Sequence, residues 1–135
     1  MDELIQGMQT ALPSAAQARL DPAAALDSFV RFHIRATVEA PEATRIDTHE
    51  LRALDAENLS RVAHRQDAIL ARLETVVAMG VEAGVFSVSH IRVETAALMA
   101  MLRSVADWYA PDGPLTAEDL EDIHADLALR AVGAA

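Results

Sequence analysis

Two polar side chains interrupt apolar helical stripes: His33 among Leu26, Phe29, Val30, Ile34, Thr37 and Val38, and Gln66 among Leu59, Val62, Ala63, Ile69, Leu70 and Leu73. A polar group carried into an apolar interior costs free energy unless something bonds to it. Each therefore finds a partner within the protein, as a lone His on an apolar face commonly does, or contributes to a ligand site. The other chemical constellations fail on spacing. Glu121-Asp122-Ile123-His124 has the Glu-x-x-His form of a di-iron bundle, which requires two such motifs, and the chain has one. His49-Glu50-Leu51-Arg52-Ala53 opens like a zinc-protease helix, but Ala53 stands where the second His ligand belongs. Both motifs read as surface charge.

His33, His49 and His64 lie on separate helical segments and would meet at a metal only if the fold converged them. Ser28, Ser60 and Ser104 have no base at a recognisable spacing, and no phosphate-binding glycine loop is present. With no cysteine, thiol catalysis, disulfides and zinc knuckles are excluded. No enzyme activity, metal or cofactor is assigned.

The scaffold for these residues is a chain of 135, 52% hydrophobic but only 4% aromatic, dominated by Ala, Leu and Val. That suffices for one domain, residues 1–135, with a sizeable core. Strict alternation is absent and helical spacing recurs, so the expected class is all-α with about six helices. No apolar run reaches membrane-spanning length and the N-terminus lacks a basic leader, giving a cytoplasmic address and no membrane partner as expectations. The net charge is -10, from eleven arginines scattered among twenty-one acids. Phosphate contacts need a basic face, so this chain is not expected to bind nucleic acid by itself.

In chain order, a helix is expected from Asp2 to about Leu12, starting at once as though cut at a domain boundary, and ending at Pro13. The second is capped by Asp21, has Pro22 at its first position and is limited by Pro41. Ala40 to Leu54 reads as a short peripheral helix, and Asp55 with Glu57 opens the longest element, ending about Gly84. Another helix spans His90 to Tyr109. Pro111, Asp112, Gly113 and Pro114 stop it, and Thr116 with Asp119 forms a capping-box start for a final helix from about Ala117 towards Arg130.

The helix from His90 to Tyr109 is apolar on two sides. Ile91, Leu98, Leu102, Val105 and Tyr109 form one face; Val93, Ala97, Ala100, Ser104 and Trp108 form a neighbouring one built largely of small residues. A monomer's surface helix needs only one such stripe. In the final helix Leu120, Ile123, Leu127 and Ala131 recur at heptad-like spacing. The last two helices are thus expected to form an antiparallel hairpin and half of an intersubunit four-helix bundle in a homodimer; packing within one monomer is the alternative.

The segments 1–8, 21–42, 73–88 and 97–132 together resemble the C-terminal regulatory domain of tetracycline-repressor (TetR) family transcription factors. The sharpest parts are Gly80-Val81-Glu82-Ala83-Gly84-Val85-Phe86 and Trp108-Tyr109-Ala110-Pro111-Asp112-Gly113-Pro114-Leu115. Ala110 stands where members often carry a basic residue, which removes one polar contact. The resemblance implies a domain that binds a small effector between its helices, dimerises through the last two and controls a DNA-reading headpiece. It also implies that this chain starts at the helix connecting headpiece to core, with the headpiece itself outside it. Mapped by the same resemblance, the effector pocket falls on Met8, Phe29, His33, Thr37, Gln66, Leu70, Leu73, Met101 and Val105. The dimer interface falls on Val93, Ala97, Ala100, Ser104, Trp108, Leu120, Ile123 and Leu127. Such a pocket suits an aliphatic, aromatic or acyl compound better than a sugar. The competing reading is a free-standing helical dimerisation or small-molecule-binding module without a DNA function.

Overall fold

A computed structural model describes residues 15–42 and 55–134, with side chains from residue 18 onward. Among the described residues there are five helices: α1 (Ala15–Leu20), α2 (Pro22–Glu39), α3 (Ala56–Glu82), α4 (Ile91–Trp108) and α5 (Ala117–Ala131). The chain is all-α, as its helical periodicity requires. The expected helices at Asp2 to Leu12 and Ala40 to Leu54 lie largely outside the described residues.

The helix starts follow their caps. Asp21 accepts the Ala24 amide at 3.0 Å ahead of Pro22, and Asp55 accepts the Asn58 amide at 2.8 Å. At α5 the Asp119 amide donates to Thr116 Oγ1 at 3.1 Å and the Thr116 amide to Asp119 Oδ2 at 2.9 Å, a complete capping box. Each cap satisfies amides that the first helical turn leaves without partners.

Gly80 and Gly84 explain the motif at the end of α3. Gly84 takes φ 75°, a left-handed conformation that lets the chain reverse. The reversal lays Phe86 directly over Gly80, where a Cβ would stand 1.9 Å from the phenyl ring. The amides of Val85 and Phe86 both donate to the Gly80 carbonyl, at 2.9 and 3.0 Å. Phe86 is thereby buried, and the Ser87 amide, donating to the Val132 carbonyl at 2.8 Å, ties this connection to the end of α5.

Helix α2 is the centre of the bundle. It packs most extensively on α5 and also touches α1, α3 and α4. Its stripe of Leu26, Phe29, Val30 and Ile34 joins Ile69, Leu73, Val76 and Val77 of α3, Leu98, Met99, Leu102 and Val105 of α4, and Leu120, Ala125 and Ala128 of α5 in one core. Burying a side chain such as Leu26 or Phe29 stabilises the fold by roughly 1.5–3 kcal/mol. The expected α4–α5 hairpin needs correction: these two helices touch each other only sparingly, because α5 spends its apolar side on α2.

Helix directions follow from the connections. Helix α1 runs into α2 and lies against the C-terminal end of α3, where Arg19, Met79, Glu82 and Ala83 line an open depression of about 290 Å³. Helix α2 therefore starts near the end of α3 and packs against it. Helix α4, which follows the Phe86 turn at that same end, packs against α3 as well.

Candidate functional site

The inward polar group of α2 is His33, 5% exposed. One turn later lies Thr37, whose Oγ1 is 3.5 Å from His33 Nδ1, and one turn earlier Phe29 stacks on the imidazole with ring centroids 6.4 Å apart. Burial pushes the His33 pKa down to about 4, and the positive charge of Arg103 on α4 acts in the same direction. The ring is neutral at physiological pH. A neutral imidazole offers one donor and one acceptor, so the Thr37 contact leaves hydrogen-bonding capacity for a second group.

Of the residues mapped to the pocket, Phe29, His33, Thr37, Leu73 and Val105 are buried, while Gln66, Leu70 and Met101 are half-buried. Met8 lies outside the described residues. Helices α2, α3 and α4 supply the rest. The open depression beside Arg19 is at the far end of α3 from Gln66.

Arg65 is a buried residue that its sequence context did not mark. It is 2% exposed and lies on the inward stripe Val62, Arg65, Ile69, Leu73, Val76 and Gly80. The three- and four-residue steps of that stripe point to Arg65, and its neighbour Gln66 falls at the stripe's edge. Its charge hid it, since charged residues are rarely buried unless paired. Arg65, Gln66 and Arg103 all have interaction partners within the chain.

The motif Glu121-Asp122-Ile123-His124 also needs correction, because it is not uniformly surface charge. Glu121 and His124 are buried, and Glu121 forms an ion pair with Arg35. Arg31 bridges Asp27 at 2.9 Å and Asp122 at 2.6 Å, so two arginines of α2 grip α5. His124 Nδ1 lies 2.7 Å from the Leu120 carbonyl, which can only accept, so that nitrogen carries the proton. Among the described residues no three His, Asp or Glu side chains gather as a metal site would require.

The outer face of α4 and α5 has a different character. Val93 is 69% exposed, Trp108 52% and Ile123 43%. Ala97 and Ala100 are exposed between them, and Ser104 and Leu127 are half-buried. Trp108 stacks on His124 with ring centroids 6.1 Å apart, and its Nε1 donates to Ser104 Oγ at 3.4 Å. Leu120 does not share this face. It is 1% exposed in the core with Ala125, Ala128 and Val132, because the inward side of α5 is turned away from Ile123 and Leu127.

No described helix is long and apolar enough to cross a membrane. No curated protein matches the sequence. Among solved structures, a regulatory protein of the TetR family from Rhodococcus RHA1 superposes with a TM-score of 0.84 at 20% identity, over 99% of this chain and 68% of that one. PfmR, a TetR-family transcriptional regulator from Thermus thermophilus, gives 0.78 at 28% identity, over 94% of this chain and 69% of its own. AibR, solved with isovaleryl coenzyme A and operator DNA, gives 0.73 at 18% identity, over 99% of this chain and 71% of its own. The family profile described as "Tetracyclin repressor-like, C-terminal domain" matches residues 19–132. The helical order, the Gly80–Phe86 turn and this match over most of the chain lead to one assignment: the chain belongs to the TetR family, as the C-terminal domain of a transcriptional regulator.

Proposed function

We propose that this domain senses a small, mostly apolar effector between α2, α3 and α4 and reports its occupancy, as a homodimer, to a DNA-reading headpiece. The observation that carries this reading is the neutral His33, buried with Thr37 on the inward side of α2 and stacked on Phe29. A largely apolar interior with a few convergent polar groups is the usual composition of a small-molecule site. Met101 lends the wall a side chain that adapts to irregular ligands. AibR, which shares the fold, was solved with an acyl thioester and its operator, making such compounds rational first probes.

The mechanism is a population shift. An effector that fits one arrangement of α2, α3 and α4 better than another moves the equilibrium by its difference in affinity, and the headpieces follow in their spacing along the major groove. With a net charge of -10 the domain itself does not serve as the DNA contact.

The exposed row of Val93, Ala97, Ala100, Trp108 and Ile123 supports dimerisation through α4 and α5. Small side chains let two helices approach closely, and Trp108 supplies a large aromatic anchor of the type that dominates interface energetics.

A thermal-shift screen of aliphatic, aromatic and acyl compounds tests the effector reading. A true effector raises Tm in proportion to the logarithm of its concentration. His33→Leu is expected to weaken its binding about tenfold, equivalent to losing one net hydrogen bond of about 1.4 kcal/mol. Unchanged affinity in both His33→Leu and Gln66→Leu would remove these residues from the site, and a blank screen would remove the effector itself.

A further inference from the structure

We infer that His124 is a positioning residue for dimerisation: its ring holds the Trp108 indole in the orientation in which a second copy of this chain receives it. This rests on the proposed homodimer and gives a role to Glu121-Asp122-Ile123-His124, the motif whose spacing resembles half of a di-iron site.

Trp108 stands where an aromatic side chain would ordinarily be loose. It is the last residue of α4, half exposed, and α4 and α5 touch only sparingly. Helix ends fray, so backbone position alone does little to fix such a side chain. Two contacts fix it instead. One face of the indole lies on the His124 imidazole, with ring centroids 6.1 Å apart and planes inclined by 20°. The indole Nε1 donates at 3.4 Å to Ser104 Oγ, one turn back. Ser104 spends its own proton on the Met101 carbonyl at 2.7 Å, which leaves its oxygen as an acceptor. His124 is fixed in turn, buried on α5 and donating from Nδ1 to the Leu120 carbonyl at 2.7 Å. Order set inside α5 is thus passed to an exposed indole on α4. A side chain that is already ordered gives up less entropy on binding than a free one, and Trp is enriched among the residues that dominate interface energetics.

The charge pattern selects a second copy as the occupant. A chain of net charge -10 repels its like, so two copies can meet only where acids are absent or neutralised. The row Val93, Ala97, Ala100, Ser104 and Trp108 has no ionisable side chain. On α5 the acid before Ile123, Asp122, is paired with Arg31 at 2.6 Å, and the acid before Leu127, Asp126, with Arg130 at 2.8 Å. Glu121 is paired with Arg35, and Asp107, beside Trp108, also interacts within the chain. Charge along this seam is balanced inside each copy, and a basic partner would find its counter-charges already engaged.

The test is a double-mutant cycle on the intact chain, with the dimer dissociation constant read by sedimentation equilibrium. Trp108→Ala is expected to weaken the dimer about thirtyfold, the size of loss that truncating an interface hot spot produces. His124→Gln keeps a donor for the Leu120 carbonyl but removes the ring. It is expected to weaken the dimer about tenfold on its own and less than about twofold once Trp108→Ala is present, because its effect runs through the indole. His124→Phe, which keeps a ring to stack on, is expected to retain most of the affinity. The single tryptophan gives a second readout. In Ala97→Arg monomers its near-ultraviolet circular-dichroism bands are expected to be strong, and to fade when His124→Gln is added. Losses that add in the cycle, or bands that persist, would overturn the role of His124 and leave the dimer face in place. A dimer split by Ala97→Arg but indifferent to Trp108→Ala would overturn the anchor. A dimer indifferent to both lies on another face, which overturns the proposed interface and this inference together, as does a chain that stays monomeric at every concentration reached. Should His124→Gln not fold, Ser104→Ala at its half-buried site takes its place. A loss of about threefold that vanishes in the Trp108→Ala background is then expected, since only the ordering of the indole is relaxed, and unchanged affinity overturns the inference.

Discussion

His33 concentrates the physics of the interior in one side chain. Its ring is held neutral because burial disfavours the imidazolium and Arg103 adds a like charge. The unfolded chain takes up the proton first, at the ordinary value of 6.5, while the folded chain resists until about 4. Stability from this group is therefore complete above pH 6.5 and is lost as pH falls towards 4. At pH 5 the loss is about 2 kcal/mol. The stability gap between the parent chain and His33→Gln should shrink by about that amount between pH 7 and pH 5, as measured by denaturant melts at each pH. A gap that stays constant would mean that the ring already titrates normally in the fold. Gly80 is fixed by a different requirement, the phenyl ring of Phe86 occupying the space of a Cβ.

At the scale of elements, the turns and caps were legible in the sequence because their causes are local. Asp21 before Pro22, Asp55, and Thr116 with Asp119 each mark a helix start through a hydrogen bond made within three residues. Thr116→Ala removes one half of the capping box and should cost about 1 kcal/mol, since a capping side chain contributes about that much. A fall of several degrees in Tm, with the helical circular-dichroism signal otherwise retained, checks it. The face of α5 was less legible. Leu120, Ile123 and Leu127 share a heptad-like spacing, yet Leu120 turns inward and Ile123 outward. Three- and four-residue steps define overlapping stripes, and only the position of α2 decides which stripe becomes core. The Arg35–Glu121 and Arg31–Asp122 pairs, joining residues far apart in sequence, help set that position.

For the whole molecule, the question is what covers α4 and α5. Val93, Trp108 and Ile123 present apolar surface beside Ala97 and Ala100. Placing a charge in a closely packed, desolvated seam is strongly unfavourable, whereas the same change on a free surface costs little. Ala97→Arg should therefore convert a dimer into monomers in sedimentation velocity at micromolar concentration while leaving Tm of the monomeric fold within a few degrees. A dimer unaffected by Ala97→Arg and Ala100→Arg would move the interface off this face. The single Trp108 supplies a second readout, since its emission should shift to the red when the dimer separates and water reaches the indole.

Periodicity, caps and the two turn motifs act over a few residues, so the class of fold, the starts of α2, α3 and α5, and the family could be read from the chain alone. Within the site, His33 and Gln66 stood out as interruptions of apolar stripes. The packing of helices was needed to reveal that Arg65 is buried beside Gln66, that Glu121 and His124 are interior groups, and that α5 leans on α2 more than on α4. Burial is a property of what packs against a residue from elsewhere in the chain. A charged side chain on a helix has the same sequence signature whether water or another helix lies over it.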